Sequence, residues 1–126
     1  MRALLLHGFA GAPASWDEVI AAGLGALEPT AVTLPGHGGP MGASWQDNLD
    51  AVPTDDAEIA IGYSFGARVA LGLLASGRIP RAILIGVNPG IPDVERPARR
   101  AADAVWARML RDQGIAAFVA AWEALP

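Results

Sequence analysis

Residues 62–66 read Gly-Tyr-Ser-Phe-Gly, and the runs on either side restrict the folds open to this chain. An apolar run suited to a buried strand, residues 59–61, precedes them, and a helix-forming run, residues 67–75, follows. A serine at such a junction is held in a strained conformation with its hydroxyl above a sheet, in the turn called a nucleophile elbow. Flanking glycines fit that turn because a Cβ at either position would collide across it. The sequence therefore predicts a strand, a sharp turn and a helix, with Ser64 at the turn.

Apolar runs and helical patterns alternate along the whole chain. Segments with apolar residues at helical spacing separate the short apolar runs, and Gly114 is predicted to break the last helical segment. Strands that alternate with helices pair in parallel through right-handed crossovers, which predicts an α/β fold with a central parallel sheet flanked by helices. The predicted strands are residues 3–6, 31–34, 59–62 and 82–87, and the predicted helices run from about 16 to 27, around 45–52, over 67–75 and onward from 93.

Composition excludes several classes of protein. The chain has 126 residues, 52% hydrophobic and 17% charged, enough for one compact domain with a real core. There is no cysteine, which excludes a disulfide framework and a thiolate metal site. No apolar run approaches the ~20 residues that span a bilayer and no signal-peptide pattern is visible, so we expect a cytoplasmic protein without a membrane partner. The net charge of −4 gives no reason to expect nucleic acid as a partner.

The loops after the four predicted strands carry recognisable motifs. His-Gly-Phe follows the first strand, Leu-Pro-Gly-His-Gly the second, Gly-Tyr-Ser-Phe-Gly ends the third, and Asn-Pro-Gly-Ile follows the fourth. This series resembles the α/β-hydrolase superfamily. The resemblance covers the whole chain but only about the first half of such a protein. It implies an incomplete hydrolase core over residues 1–92 and the start of a helical lid over residues 93–126.

Within that superfamily the chain most resembles the menaquinone-pathway lyase family, 2-succinyl-6-hydroxy-2,4-cyclohexadiene-1-carboxylate (SHCHC) synthase. An arginine, Arg68, stands four residues after the serine, and Pro-Gly-Ile is followed by Glu-Arg-Pro-Ala-Arg at residues 95–99. Phe118 is followed by Trp122 and a proline. The resemblance implies proton abstraction followed by pyruvate elimination, with no metal and no organic cofactor.

The reactive groups can be assigned from their positions. Ser64 is the predicted nucleophile or, in the lyase, the catalytic base once a histidine has activated it, because a serine hydroxyl is too weak an acid to react unaided. The backbone N–H groups of Phe9 and Phe65 are the predicted oxyanion hole. In the resembling lyase the arginines at the positions of Arg68 and Arg99 contact an anionic substrate.

Other residues are weaker candidates for the site. Arg96 is a further candidate for binding an anion, and Tyr63 and Trp122 are pocket walls by resemblance. The alternative for the arginines is a solvated helix face or an ion pair with a neighbouring acid such as Asp103. For Tyr63 and Trp122 the alternative is ordinary packing.

The chain departs from the family pattern after the serine. The superfamily places its acid and its histidine after the serine, and no histidine follows Ser64. His7 and His37 precede it, so we expect His7 to bind within the oxyanion loop and His37 to pack in a turn. The chain is therefore the front of a longer enzyme, the partner of a second polypeptide that supplies the missing half, or inactive.

Three functions remain open on the sequence. The first is the lyase, acting on an anionic small molecule, and the second is a carboxylic-ester or thioester hydrolase in which Ser64 forms an acyl-enzyme. Arginines facing the serine favour the lyase, whereas an uncharged apolar lid favours the hydrolase. The third is an inactive fragment that binds or assembles. In each case the strand predicted over residues 82–87 would lack a neighbour, and we expect a second chain or a dimer partner to cover it.

Overall fold

The computed structural model describes residues 1–126, which form two compact units, residues 1–89 and residues 90–126. The first unit contains a four-stranded parallel sheet in the order β2-β1-β3-β4. The predicted α/β fold with a parallel sheet is confirmed. The strands are β1 Arg2–Leu6, β2 Glu28–Val32, β3 Ile59–Tyr63 and β4 Ala82–Ile85.

Helices connect the strands of the first unit and make up most of the second. The α-helices are α1 Asp17–Ala21, α2 Trp45–Asp50, α3 Phe65–Ala75 and α4 Arg96–Glu123. Single turns of 3₁₀ helix span Pro13–Trp16, Leu24–Ala26 and Asp93–Glu95. None of these helices combines the length and the apolar composition that crossing a bilayer requires.

The core of the first unit lies on both faces of the sheet. Successive side chains of a strand point to opposite faces. Leu4 and Leu6 accordingly pack into the cluster that includes Leu73 of α3, whereas Leu5 packs with Trp16 on the other face. β1 lies between β2 and β3, which explains why its apolar residues form a continuous run.

The edge strand β2 and the helix before it differ from the sequence-based predictions. β2 begins at Glu28 rather than at Ala31, because residues 28–32 pair in register with β1. Its first four residues alternate between exposed and partly buried, and only Val32 is buried. The run of apolar residues is therefore shorter than the strand. The predicted helix to Leu27 is wrong in extent: α1 ends at Ala21, since Gly23 adopts φ 150° and ends the helical conformation.

The other edge strand, β4, exposes an apolar face. It ends at Ile85, two residues earlier than predicted, where Gly86 adopts φ 62°. Ala82 and Leu84 pack against the core, whereas Ile83 and Ile85 are 48% and 43% exposed. β4 pairs only with β3, so its outer edge has no strand neighbour.

The second unit is dominated by the 28-residue α4. Gly114, at φ 83° and ψ 174°, interrupts its helical conformation, which confirms the predicted break. Trp106, Phe118 and Trp122 pack together within this unit, with ring centroids 5.2–5.9 Å apart. These three rings therefore form one aromatic cluster within the second unit.

Candidate active site

Ser64 occupies the junction between β3 and α3 in a strained conformation. Its φ of 52° and ψ of −109° lie outside the regions that residues with a Cβ ordinarily adopt. The Ser64 N–H donates to the Ile85 carbonyl oxygen at 2.9 Å, and the Ser64 carbonyl oxygen accepts from the N–H groups of Ala67 and Arg68 at 3.1 and 3.2 Å. The strand on one side and the first helical turn on the other thus hold the strained residue. The predicted strand, turn and helix are all present.

The two glycines of the motif are required for different reasons. A Cβ on Gly62 would overlap the Gly66 carbonyl oxygen and lie 2.6 Å from the Ala67 Cα, which is the predicted collision across the turn. A Cβ on Gly66 would instead overlap the Leu6 carbonyl oxygen and lie 2.6 Å from that of His7. The explanation predicted for Gly66 is therefore wrong: this glycine lets the start of α3 approach the end of β1.

The loop after β1 lies beside the serine. A Cβ on Gly8 would stand 2.9 Å from Tyr63 Cδ1 and 3.6 Å from Ser64 Cβ, so Gly8 is in close contact with the elbow. Phe9 follows at once and is 47% exposed. Phe65 is the first residue of α3 and packs partly into the core. The structure thus places the loop that bears Phe9 next to the elbow, and Phe65 directly follows Ser64.

Both histidines bind backbone groups with both ring nitrogens. His7 Nδ1 contacts the Gly8 carbonyl oxygen at 2.8 Å, and its Nε2 accepts from the Leu34 N–H at 3.3 Å. His37 Nδ1 contacts the Pro35 carbonyl oxygen at 3.0 Å, and its Nε2 accepts from the Ala10 N–H at 3.1 Å. All four ring nitrogens are therefore occupied, and none is left to accept the Ser64 proton. The structural roles predicted for both residues are confirmed, but the bonds to Leu34 and Ala10 were not foreseen.

Burial changes the acidity of His7. Its side chain lies almost wholly out of solvent, and desolvation is the main cause that lowers the pKa of His7 below its ordinary value. The hydrogen bond to the Gly8 carbonyl oxygen opposes this change, and the nearby His37 adds to it. His7 is therefore a neutral hydrogen-bonding group at neutral pH.

Aromatic rings cluster around Phe65, the residue that follows Ser64. The His37 ring stacks on Phe65 at a centroid distance of 5.9 Å and meets the edge of Phe9 at the same distance. Trp45, at the start of α2, meets Phe65 at 6.3 Å. Tyr63 is 54% exposed at the end of β3, so it borders the elbow rather than the core. Trp45 was predicted only as a helix residue, and nothing in its spacing indicates contact with the elbow.

Arg68 lines a groove on the outer side of α3. Its guanidinium group is exposed and forms no ion pair in the structure. The residues of α3 in the groove share one helical face, since they recur at spacings of three and four. The groove measures about 310 Å³ and is lined by Trp45, Arg68, Leu71, Gly72, Ala75 and Pro89. Ser64 is not part of this lining, although Arg68 lies one helical turn after it.

The other predicted site residues belong to the second unit and have local partners. Arg96 pairs with Asp93 at 3.1 Å, and Arg99 pairs with Asp103 at 2.8 Å, which is the alternative stated above for Arg99. Exposed pairs of this kind contribute only about 0.3–0.5 kcal/mol, so a bound carboxylate would displace either one readily. Trp122 stacks on Phe118 with ring planes 14° apart. No group of three or more metal-binding side chains occurs in the chain.

Comparisons with known proteins show the family and the fold of the chain. A solved structure, MenH (SHCHC synthase) from S. aureus, superposes on the whole chain with a TM-score of 0.83 at 28% identity. The protein PHYLLO, chloroplastic, of Arabidopsis thaliana is 32% identical over 141 residues. The chain spans 53% of that MenH chain and 8% of the PHYLLO sequence, while the matches cover 100% and 95% of this chain. A sequence profile of the alpha/beta hydrolase family matches residues 3–126. The chain therefore belongs to the alpha/beta hydrolase family.

Proposed function

We propose that this chain supplies the serine and the oxyanion hole of a MenH-like lyase, which removes a proton from its substrate and eliminates pyruvate. The observation that carries the proposal is the strained Ser64 at the head of α3 with the loop bearing Phe9 beside it. The match of the whole chain to MenH supports the same reaction class.

Each reactive group has a definite task in this mechanism. A histidine takes the Ser64 proton, and the resulting alkoxide removes the substrate proton, or attacks a carbonyl carbon in the ester reaction. Negative charge then develops on a substrate oxygen, which the N–H groups of Phe9 and Phe65 stabilise. The N-terminus of α3 adds a favourable dipole at the same place.

The activating histidine has to come from outside this pair of loops. His7 and His37 use all four ring nitrogens on backbone groups, so neither can accept the Ser64 proton without breaking a bond that shapes the site. We therefore propose that the active unit is an assembly in which another segment or a second polypeptide places a histidine and its acid next to Ser64.

Arg68 is the proposed contact for an anionic substrate group. An unpaired guanidinium group binds carboxylates bidentately, and the neighbouring Trp45 and Leu71 offer apolar surface for a ring or chain. Arg96 and Arg99 remain proposed contacts for further carboxylates, because their present ion pairs are weak. No metal or organic cofactor has a task in this mechanism.

A carboxylic-ester or thioester hydrolase is the second candidate. The exposed rings of Phe9 and Tyr63 border the elbow and would accept an uncharged acyl group. An inactive binding fragment is the third, favoured by the absence of a histidine bonded to Ser64.

Turnover by the native assembly separates these candidates. Pyruvate release would be followed with a coupled dehydrogenase, and ester hydrolysis with p-nitrophenyl acetate, in wild type and in the variants Ser64→Ala and Arg68→Ala. We expect pyruvate release that requires Ser64. Its KM should rise at least about tenfold in Arg68→Ala, since a charged hydrogen bond contributes roughly 1.5–3 kcal/mol. Ester hydrolysis without pyruvate release would support the hydrolase. The absence of turnover in both assays would support the inactive binding fragment.

A further inference from the structure

The loops after β1 and β2 are tied by two reciprocal hydrogen bonds, which we call the histidine clasp. His7 follows β1 and accepts from the Leu34 N–H after β2, whereas His37 lies after β2 and accepts from the Ala10 N–H after β1. The two rings meet edge to face at 4.8 Å. Each histidine therefore shapes the loop that the other belongs to.

The tautomer of both rings follows from the partners. A carbonyl oxygen can only accept, so Nδ1 of each ring must carry the hydrogen that faces Gly8 in one case and Pro35 in the other. A backbone N–H can only donate, so each Nε2 must present its lone pair. Both histidines are thus neutral in the clasp.

Ala10 shows why its loop needs the bond to His37. The Gly11 N–H donates to the Gly8 carbonyl oxygen at 3.0 Å, which makes Phe9 and Ala10 the central residues of a tight turn. Ala10 has a φ of 61° at the position where such turns usually carry glycine. An alanine there is strained by about 1 kcal/mol or more, so surrounding contacts must hold it. The Ala10 N–H bond to His37 is such a contact.

The same bonds fix the direction of the Phe9 N–H. Gly8 C=O and Phe9 N–H belong to one planar trans peptide, so they point in opposite directions. His7 Nδ1–H and the Gly11 N–H hold that carbonyl oxygen. His37 holds the next peptide through the Ala10 N–H. The two peptides on either side of the Phe9 Cα are therefore both anchored.

We propose that His37 is a positioning residue for catalysis: through Ala10 it holds the Phe9 N–H in the direction that an oxyanion requires. The inference rests on the proposed function, because it assumes that this N–H faces the developing charge. In this role His37 acts through the Ala10 N–H and not through contact with the substrate. Its loss would leave the donor present but misdirected, which weakens stabilisation of the transition state more than binding of the substrate.

Two substitutions of His37 separate its two hydrogen bonds. The side-chain amide of glutamine reaches about as far as Nε2, so His37→Gln keeps an acceptor for the Ala10 N–H. The shorter amide of His37→Asn reaches only the place of Nδ1, so it keeps the Pro35 contact and loses the acceptor. Both variants remove the imidazole, which makes each the control for the other.

The first readout does not depend on activity. Hydrogen exchange of the Ala10 amide and its proton shift would be measured by NMR in wild type and both variants, together with the ¹⁵N shifts of the His37 ring in wild type. We expect a hydrogen on Nδ1, an unprotonated Nε2, and an Ala10 amide that exchanges at least about tenfold faster in His37→Asn than in His37→Gln. A hydrogen on Nε2 in wild type at neutral pH would overturn the inference, even if neither variant folds.

The second readout is pyruvate release by the native assembly. Removing an oxyanion-hole donor costs about 10²–10³-fold, so a misdirected donor should lower kcat about 10- to 100-fold in His37→Asn with KM nearly unchanged, and His37→Gln should restore most of it. Equal kcat in both variants would overturn the positioning role even where the Ala10 amide behaves as expected. Failure of the proposed function is recognised separately, by a Ser64→Ala variant that keeps its activity while the amide result stands.

Discussion

At the scale of single residues, the elbow depends on glycines that make room for backbone atoms rather than for side chains. Gly66 faces the carbonyl oxygens of Leu6 and His7, neither of which can move without parting β1 from α3. We expect Gly66→Ala to lower the free energy of unfolding by about 3 kcal/mol or more, in the range of severe overpacking. Urea denaturation followed by circular dichroism would measure it.

Gly39 provides the matched control for that substitution. It lies in an exposed loop, a Cβ there would meet no atom within 4 Å, and its φ is not positive. Gly39→Ala should therefore change the free energy of unfolding by less than about 0.5 kcal/mol. Similar losses in both variants would show that the close approach to β1 is not what Gly66 provides.

His7 gives the fold a dependence on pH. Its pKa is lowered in the folded state, so below its ordinary value of about 6.5 the unfolded chain binds more protons than the folded one. The stability contributed by neutral His7 is present above that value and is lost as the pH falls through the lowered pKa. We expect the urea concentration at the midpoint of unfolding to be lower at pH 5 than at pH 7.5. The decrease should be smaller in His7→Gln, whose side chain does not titrate. An equal fall in both proteins would exclude His7 as the cause.

At the scale of helices and strands, the spacing of apolar residues and glycines predicted those features that depend on the local sequence. β1 and β3 are buried between neighbours, so their apolar runs were visible, and the break at Gly114 follows from its lack of a Cβ. β2 was placed too late because an edge strand needs few apolar residues. The contact of Gly66 with β1 and the bonds of His37 join segments far apart in sequence, and no periodicity reports such contacts.

The helix α4 offers a test of the ion pair between Arg99 and Asp103. Because both side chains are more than half exposed, we expect Arg99→Ala to lower the free energy of unfolding by no more than about 0.5 kcal/mol. If Arg99 binds a substrate carboxylate as proposed, the same variant should raise KM for pyruvate release by about tenfold. Arg108→Ala, at an arginine of α4 without an ion pair, is the control and should change neither value.

At the scale of the whole molecule, the uncovered edge of β4 is the feature that calls for a partner. Ile83 and Ile85 expose apolar side chains beside unpaired backbone groups, an arrangement that favours association. We propose that a second chain covers this edge. Sedimentation should give a mass above the 13.0 kDa of the isolated chain, and the double variant Ile83→Lys, Ile85→Lys should restore the monomer. Val94→Lys, at an exposed residue of the second unit, is the control, and a wild type that stays monomeric at high concentration would contradict the proposal.

The chain spans 53% of the MenH structure that it resembles. We propose that Ser64 is the reacting residue of an assembly in which another segment or a second polypeptide supplies the histidine. The most direct measurement is kcat for pyruvate release by the native assembly carrying Ser64→Ala, beside Ser76→Ala at the far end of α3 as control. Loss of a catalytic serine should lower kcat by at least about 10³-fold, with the folded spectrum preserved and Ser76→Ala near wild type. A Ser64→Ala assembly that keeps its turnover to within about threefold would contradict the assignment of Ser64 as the reacting group.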